Sequence, residues 1–267
     1  LTVMLEAGRY FLKKQGMSQG VSDAELIHMA VKSMGLDELG PFDPGKKIIE
    51  YVMEDPKTKS LIDLTMAGFS EVLASDSPAP GGGSAAAYVG ALGASLGAMV
   101  GNLSANKRGW EEQQPFFSDW AVKGQQARQQ LLALVDEDTN AFNSLMAAFR
   151  MPKDTDADKR SRSEAIEKAT LRAIESPLNT IRVAHSLFEL LHAMAEKGNP
   201  NSVSDAGVGA VCAMAAVEGG WMNVMINLGG LKDKAAAEKI KAEADSLFAD
   251  SKTRKEKIVG LVVMKMK

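Results

Sequence analysis

Cysteine is almost missing from this chain of 267 residues: Cys212 is the only one. An intramolecular disulfide framework is excluded, and a reducing, cytoplasmic compartment is expected. Histidine is nearly as scarce. His28, His185 and His192 form no HExxH and no Cys/His cluster, so no metal is expected. Basic excess is also lacking. Lys plus Arg is 31 against 34 for Asp plus Glu, a net charge of −3, and nothing in that balance draws nucleic acid. What is there is ordinary for a globular protein: 45% apolar and 24% charged residues, enough for a sizeable core. No secretory leader is visible. The chain opens on Leu1 and Thr2, and the expectation is a piece of something longer.

Charge is absent over two long stretches. Residues 77–106 carry none, and between Asp205 and Lys232 there is only Glu218. A membrane span needs about 20 strongly apolar residues. These stretches are instead rich in Ala, Gly and Ser, and the first holds Pro78, Pro80 and three glycines. They read as central helices of a bundle, buried on most sides, with no membrane implied.

Strands are the third absence. No period-two pattern persists after residue 60, so the fold class is all-α: a helical bundle with long central Ala/Gly-rich helices. Residues 1–55 read as a short helical piece, with Ser22 and Glu25 as a capping box and Gly35 as a stop. Residues 56–60, polar and opened by Pro56, read as a linker, and 61–267 as the helical domain. In that domain LIDLTMAGFSEVLA reads as one helix, SDSPAPGGGS as a loop, and Ser84 to about Lys107 as a helix with Ser84 as N-cap. A long helix follows to Phe149. The next ends near Glu175, where Pro177 opens or kinks another. Gly93, Gly97 and Gly101 recur every fourth residue, nearly on one face. Each costs roughly 1 kcal/mol against alanine, which close helix packing, within a subunit or across a dimer, must offset.

The chemistry-bearing segment is LLALVDEDTNAFNSLMAAF. At roughly 100° per residue, Leu134, Val135, Phe142, Leu145 and Phe149 fall within about 60° of Leu131, an apolar stripe. Asp138 falls inside it, while Asp136 and Glu137 fall outside and are expected in solvent. A carboxylate turned inward is costly unless paired or hydrogen-bonded, and burial raises its pKa. Asp138 is thus either a structural residue, paired to an Arg or Lys or bonded to another helix end, or a general acid/base. The glycine run before residue 84 offers free N–H groups at a helix start, either as a plain entry turn or as a ligand contact. It lacks the P-loop lysine and the strand of a dinucleotide fingerprint. Lys107 and Arg108 complement a helix C-terminus or meet an acidic tail. Asn223 and Asn227, one turn apart, either satisfy backbone groups or read a heterocycle edge.

Four separated motifs, ASDSPAPGGGSAAAYVGALGASLGAMVGNLS, NKRGW, VDEDTNAF and NVMINL, resemble the cyclodeaminase part of the formiminotransferase-cyclodeaminase family. The likeness covers residues 61 to about 260. LEAGRYFLKKQG, GVSDAEL and SMGLDELGPFDPGKKIIEYV resemble the C-terminal tail of the family's formiminotransferase portion, the end of an α/β domain. The resemblance implies conversion of 5-formiminotetrahydrofolate to 5,10-methenyltetrahydrofolate and ammonia, in histidine degradation and one-carbon metabolism. It implies a homodimer or higher oligomer, no transferase activity, and no cofactor or metal beyond the tetrahydrofolate carrier, with or without a polyglutamate tail. The family's catalytic aspartate, second of the VDxD motif, falls on Asp138. Pro80, Gly81, Gly82, Gly83 and Ser84 would shape the folate pocket. Lys107 and Arg108 would meet the glutamate tail, and Asp205 and Asn227 the pterin. Alternatives are a methenyltetrahydrofolate cyclohydrolase, a helical assembly module, or an anion-binding module built on the glycine loop.

Overall fold

The computed structural model describes residues 1–53 and 60–267; of the expected linker 56–60, all but Ser60 lies outside the described residues. No strand occurs among the described residues. The N-terminal piece has α1 (Thr2–Lys14), α2 (Asp23–Ser33) and two single turns, α3 (Pro44–Lys47) and α4 (Ile49–Val52). The Ser22–Glu25 capping box is present as expected. LIDLTMAGFSEVLA is not one helix. A 3-10 turn over Leu61–Asp63 comes first, and Thr65 then accepts from the Gly68 N–H to start α5 (Met66–Leu73). Threonine competes for the backbone, which explains the break.

Five long helices follow: α6 (Gly82–Ala105), α7 (Gln114–Phe149), α8 (Asp156–Lys197), α9 (Val203–Leu228) and α10 (Lys234–Lys265). Each runs antiparallel to the one before it. Along α6 a Cβ on Gly83 would meet Asp138, one on Gly90 Leu131 and one on Gly101 Ala121, so α7 descends as α6 rises. Buried Phe117, Leu131, Ile174, Leu178, Ile181, Phe188 and Leu191 fill the centre. Each such side chain stabilises the fold by roughly 1.5–3 kcal/mol.

The glycine spacing of α6 works differently from a single face. Four residues turn the helix by about 400°, so each step drifts by about 40°. A Cβ at Gly93 would lie 2.9 Å from the Gly209 carbonyl oxygen on α9. One at Gly97 would lie 2.7 Å from a Leu190 methyl on α8, and one at Gly101 3.1 Å from Ala121 on α7. The three glycines admit three different neighbours, all within the protomer. By length and composition α6 and the stretch Pro200–Leu228 suffice to cross a membrane. Here their small-residue faces are spent on helix packing.

Two boundaries also differ from expectation. α6 starts at Gly82 with Gly81 as N-cap, so two of the three glycines form its first turn and Ser84 is its third residue, not its cap. α8 runs unbroken for 42 residues with Pro177 inside it. The helix survives because packing on both sides outweighs the roughly 3 kcal/mol a proline costs.

The N-terminal piece is stitched to the bundle through residues 17–20. Ser18 Oγ donates to Asn102 Oδ1 at 2.6 Å, Asn102 Nδ2 to the Gly20 carbonyl at 2.7 Å, and the Gln19 N–H to Ser118 Oγ at 2.9 Å. These contacts lie at the C-terminal end of α6.

Candidate active site

The other end of α6 holds the chemistry. The first residues of a helix have N–H groups with no partner in the ladder, and they carry the positive end of its dipole. Here they meet the Asp138 carboxyl on α7. Gly83 makes the approach possible: a Cβ there would stand 2.1 Å from Asp138 Oδ1 and 2.5 Å from its Cγ. No side chain fits in that space.

Ser84, fully buried, sits behind the carboxyl. Its Oγ lies 2.8 Å from the Val135 carbonyl oxygen, 3.1 Å from Asp138 Oδ2 and 3.2 Å from Thr139 Oγ1. One hydroxyl has one proton to give. With Asp138 charged, Ser84 donates to the carboxylate and Thr139 can donate to Ser84. With Asp138 protonated, the carboxyl can donate to Ser84, which then donates to Val135. Both protonation states find partners without moving a heavy atom. Burial holds the Asp138 pKa above the ordinary carboxylate value, the Ser84 hydroxyl and backbone N–H draw it back, and the charge on Glu137 adds a push upward.

The three acidic residues of VDED thus divide their work. Asp136 accepts from the Leu61 N–H at 2.7 Å and from the Ser60 hydroxyl, anchoring the start of the helical domain. Glu137 takes Arg172 of α8 in a two-pronged pair at 2.7 and 2.9 Å. Glu137 stays at the surface within that pair, its side chain 37% exposed, and Asp136 is half-buried where the segment after the linker meets α7. The nearby guanidinium is spent on Glu137, and Asp138 has no cationic partner among the described residues. Of the two structural alternatives for Asp138, an ion pair is not built among the described residues, whereas a bond to another helix end is, at the start of α6.

A cavity of about 280 Å³ opens in front of the carboxyl, lined by Pro78, Ala79, Gly81, Gly82, Gly83, Asp138, Phe142, Leu145, Ala173, Asn223 and Asn227. It is at the small end for a ligand pocket and suits a ring system with a tail leading out. Pro80, following a cis peptide bond, is buried beside this wall. The outer part of the apolar stripe, Phe142 and Leu145, forms cavity wall rather than core, and Phe149 is 46% exposed. Asn223 Nδ2 donates to the Gly219 carbonyl at 2.8 Å, and Asn227 Nδ2 to the Ala173 carbonyl at 2.9 Å.

The sequence-level candidates therefore split. Pro80, Gly81, Gly82, Gly83, Ser84, Asp138 and Asn227 come together. Lys107 and Arg108 lie beyond the far end of α6, roughly 36 Å away by helix rise. Lys107 Nζ sits 3.9 Å above the Trp110 ring there, and Lys107 and Arg108 line a separate cleft of about 490 Å³ with Met17, Asn106 and Gln114. Asp205 is in the first turn of α9 while Asn227 is in its last, roughly 33 Å apart. Within one protomer, Lys107, Arg108 and Asp205 do not belong to the cavity. The rise along the two helices already separates these residues; which ends of different helices meet came only from the packing. Thr139 and Ala173 joined the site without a sequence signal of their own. No group of three or more His, Cys, Asp or Glu able to hold a metal occurs among the described residues.

Comparison with known proteins places this geometry. Residues 65–246 match the family model described as formiminotransferase-cyclodeaminase, and residues 1–54 the model described as formiminotransferase domain. Formimidoyltransferase-cyclodeaminase of Gallus gallus is 36% identical over 245 residues, covering 91% of this chain and 44% of that protein. The chain thus spans less than half the length of that relative. Methenyltetrahydrofolate cyclohydrolase of Methylorubrum extorquens is 37% identical over 202 residues, covering 76% of this chain and 97% of that protein. The crystal structure of formiminotetrahydrofolate cyclodeaminase from Thermotoga maritima superposes with a TM-score of 0.63 at 26% identity, covering 77% and 97% of the two chains. The helix order, the match over more than half the chain and the likeness to these proteins agree, and the chain belongs to the formiminotransferase-cyclodeaminase family.

Proposed function

We propose that this chain acts as a formiminotetrahydrofolate cyclodeaminase, closing 5-formiminotetrahydrofolate to 5,10-methenyltetrahydrofolate with release of ammonia. The observation that carries the reading is Asp138: a desolvated carboxyl with no cationic partner among the described residues, facing a cavity at a helix start. In the reaction N10 attacks the carbon of the formimino group, held on N5 and protonated as –CH=NH2⁺, and a tetrahedral centre bearing –NH2 forms; loss of NH3 from it leaves the methenyl cation. The Asp138 carboxylate takes the N10 proton. The resulting carboxylic acid gives it to the departing nitrogen, the C–N bond breaks, and ammonia leaves. The proton moves from N10 to ammonia, and the carboxylate is restored. Such acid/base help contributes about 10²- to 10⁴-fold. Holding N10 beside the formimino carbon supplies much of the rest. Proton transfer and orientation suffice here, so no metal or cofactor is invoked beyond the tetrahydrofolate that carries the group.

A second reading is favoured by one observation, the Methylorubrum extorquens cyclohydrolase matched over 97% of its length. Hydrolysis of the methenyl bridge uses the same carbon between N5 and N10. Residues 1–54 favour the deaminase, since a transferase-like segment suits a chain working on a formimino group. Residues 1–55 are read as the end of that transferase-like domain and 61–267 as the cyclodeaminase domain. The test is to give the purified chain 5-formiminotetrahydrofolate and, separately, 5,10-methenyltetrahydrofolate. Ammonia release well above the hydrolysis rate is expected. Hydrolysis alone selects the second reading, and neither activity overturns both.

The same proposal covers assembly. α6 presents Val89, Leu92, Leu96, Met99 and Leu103 outward at alternating three- and four-residue steps. α9 presents Val208, Val211, Ala215 and Met222 in the same rhythm, with Glu218 the one charge in that row and Ile226 four residues beyond Met222. Leu92 is 43% and Ile226 77% exposed. Two adjacent heptad stripes of this kind suit a second copy, packing helix pair on helix pair. An antiparallel pairing carries the second copy's Lys107 and Arg108 toward the Asp138 end, where a polyglutamate tail would run. Sedimentation is expected to find twice the 28.5 kDa chain mass, and Leu92→Asp the chain mass alone. A monomeric wild type would overturn the pairing. The single, partly buried Cys212 suits a cytoplasmic enzyme of histidine degradation.

A further inference from the structure

Pro177 stands in the middle of α8, four residues after Ala173. Proline has no N–H, so the Ala173 carbonyl lacks the donor that a continuous ladder would supply. The pyrrolidine ring also crowds that carbonyl and tilts it off the helix axis. The vacancy is filled from another helix. Asn227 on α9 donates through Nδ2 to Ala173 O at 2.9 Å. Ala173 and Asn227 both line the cavity that holds Asp138.

This bond settles which way the amide faces. A carbonyl can only accept, so Nδ2 must point to Ala173 and Oδ1 is the free end. Among the described residues the Asn227 side chain makes no other hydrogen bond. An anchored amide whose free end is an acceptor suits a ligand edge that donates. On a pterin that edge is N3–H with the 2-amino group.

We infer that Pro177 is a positioning residue for the site: by removing one helical donor it turns the Ala173 carbonyl into the anchor that aims Asn227 Oδ1 at the donor edge of a heteroaromatic ring. The choice of ring rests on the cyclodeaminase reading; the anchor itself does not.

Pro177→Ala restores an N–H at 177 and draws the Ala173 carbonyl back into α8. The melting temperature is expected to hold or rise. KM for 5-formiminotetrahydrofolate should rise about tenfold with kcat within about threefold, because the lost contact binds ground and transition states alike. Asn227→Ala should raise KM comparably, and adding Pro177→Ala to it should change KM no further. Equal, independent effects of the two changes, or an unaltered KM in Pro177→Ala beside a raised one in Asn227→Ala, overturns the inference. Should Pro177→Ala not fold, amide exchange by NMR in the wild type decides: one Asn227 Nδ2 proton slowed supports the anchor, both exchanging freely removes it. A wild type that turns over no reduced folate sinks the functional reading, while the exchange measurement still judges the anchor.

Discussion

Asp138→Asn is expected to fold, bind reduced folate and lose ammonia release by about 10²- to 10⁴-fold. The amide is nearly the same size as the carboxyl, and its oxygen can still accept from Ser84. It cannot take the N10 proton and return it. The sign of the stability effect follows from the pKa. Asp138 is raised above its unfolded value, first by burial. Its protonated form therefore suits the fold, and that stability is lost as pH climbs through the raised value. Above that value the wild type holds a desolvated charge that the variant lacks. The variant should then melt at the same or a higher temperature, and the difference should shrink as pH falls through the Asp138 titration. A melting curve at several pH values beside an ammonia assay checks both halves. Near wild-type turnover in the variant moves the proton transfer to another group.

Gly83→Ala is the second change with a large expected effect, although it adds one methyl group outside the reacting atoms. That methyl carbon would stand 2.1 Å from Asp138 Oδ1, where non-bonded carbon and oxygen need more than 3 Å. The α6 backbone is held by α7, α8 and α9, so the carboxyl must retreat by about 1 Å. A misplacement of that size costs on the order of 10²-fold in rate. The Ser84 bonds to Asp138 should fail with it, since they rely on the same approach. Gly260→Ala gives the contrast. Gly260 is exposed on α10 with nothing within 4 Å of a Cβ. Alanine there should stabilise the helix by up to about 1 kcal/mol and leave turnover unchanged. Rates and melting temperatures of the two variants, measured together, separate a packed catalytic contact from a plain helix effect. A fully active Gly83→Ala would mean that the carboxyl does not work from this position.

Much of this site could be read before any coordinates. The inward turn of Asp138 follows from its place within the apolar stripe, because a helix repeats every 3.6 residues wherever it lies. The all-α class follows from the lack of alternation, while the glycine run before Ser84 read equally as a plain entry turn or as a backbone open to close approach. Those are local properties, carried by neighbours in the chain. What covers the other two carboxylates of VDED was not local. Arg172 and the Ser60–Leu61 segment reach Glu137 and Asp136 from far along the chain. Pro177 is the sharpest case. Its missing N–H is written in the sequence, yet reads there only as a helix boundary. That α8 continues, and that Asn227 fills the gap, depends on α9 packing beside it.

The sequence alone determined the helices, their inward faces and the acidic group turned away from water, since periodicity and residue chemistry act over a few turns. Tertiary structure alone decided which helix ends share a cavity. Antiparallel packing joins the start of α6, the middle of α7 and the end of α9, and no local pattern encodes that choice, whereas the distance of Lys107 and Arg108 from Ser84, and of Asp205 from Asn227, already follows from the rise of the helix that carries each pair.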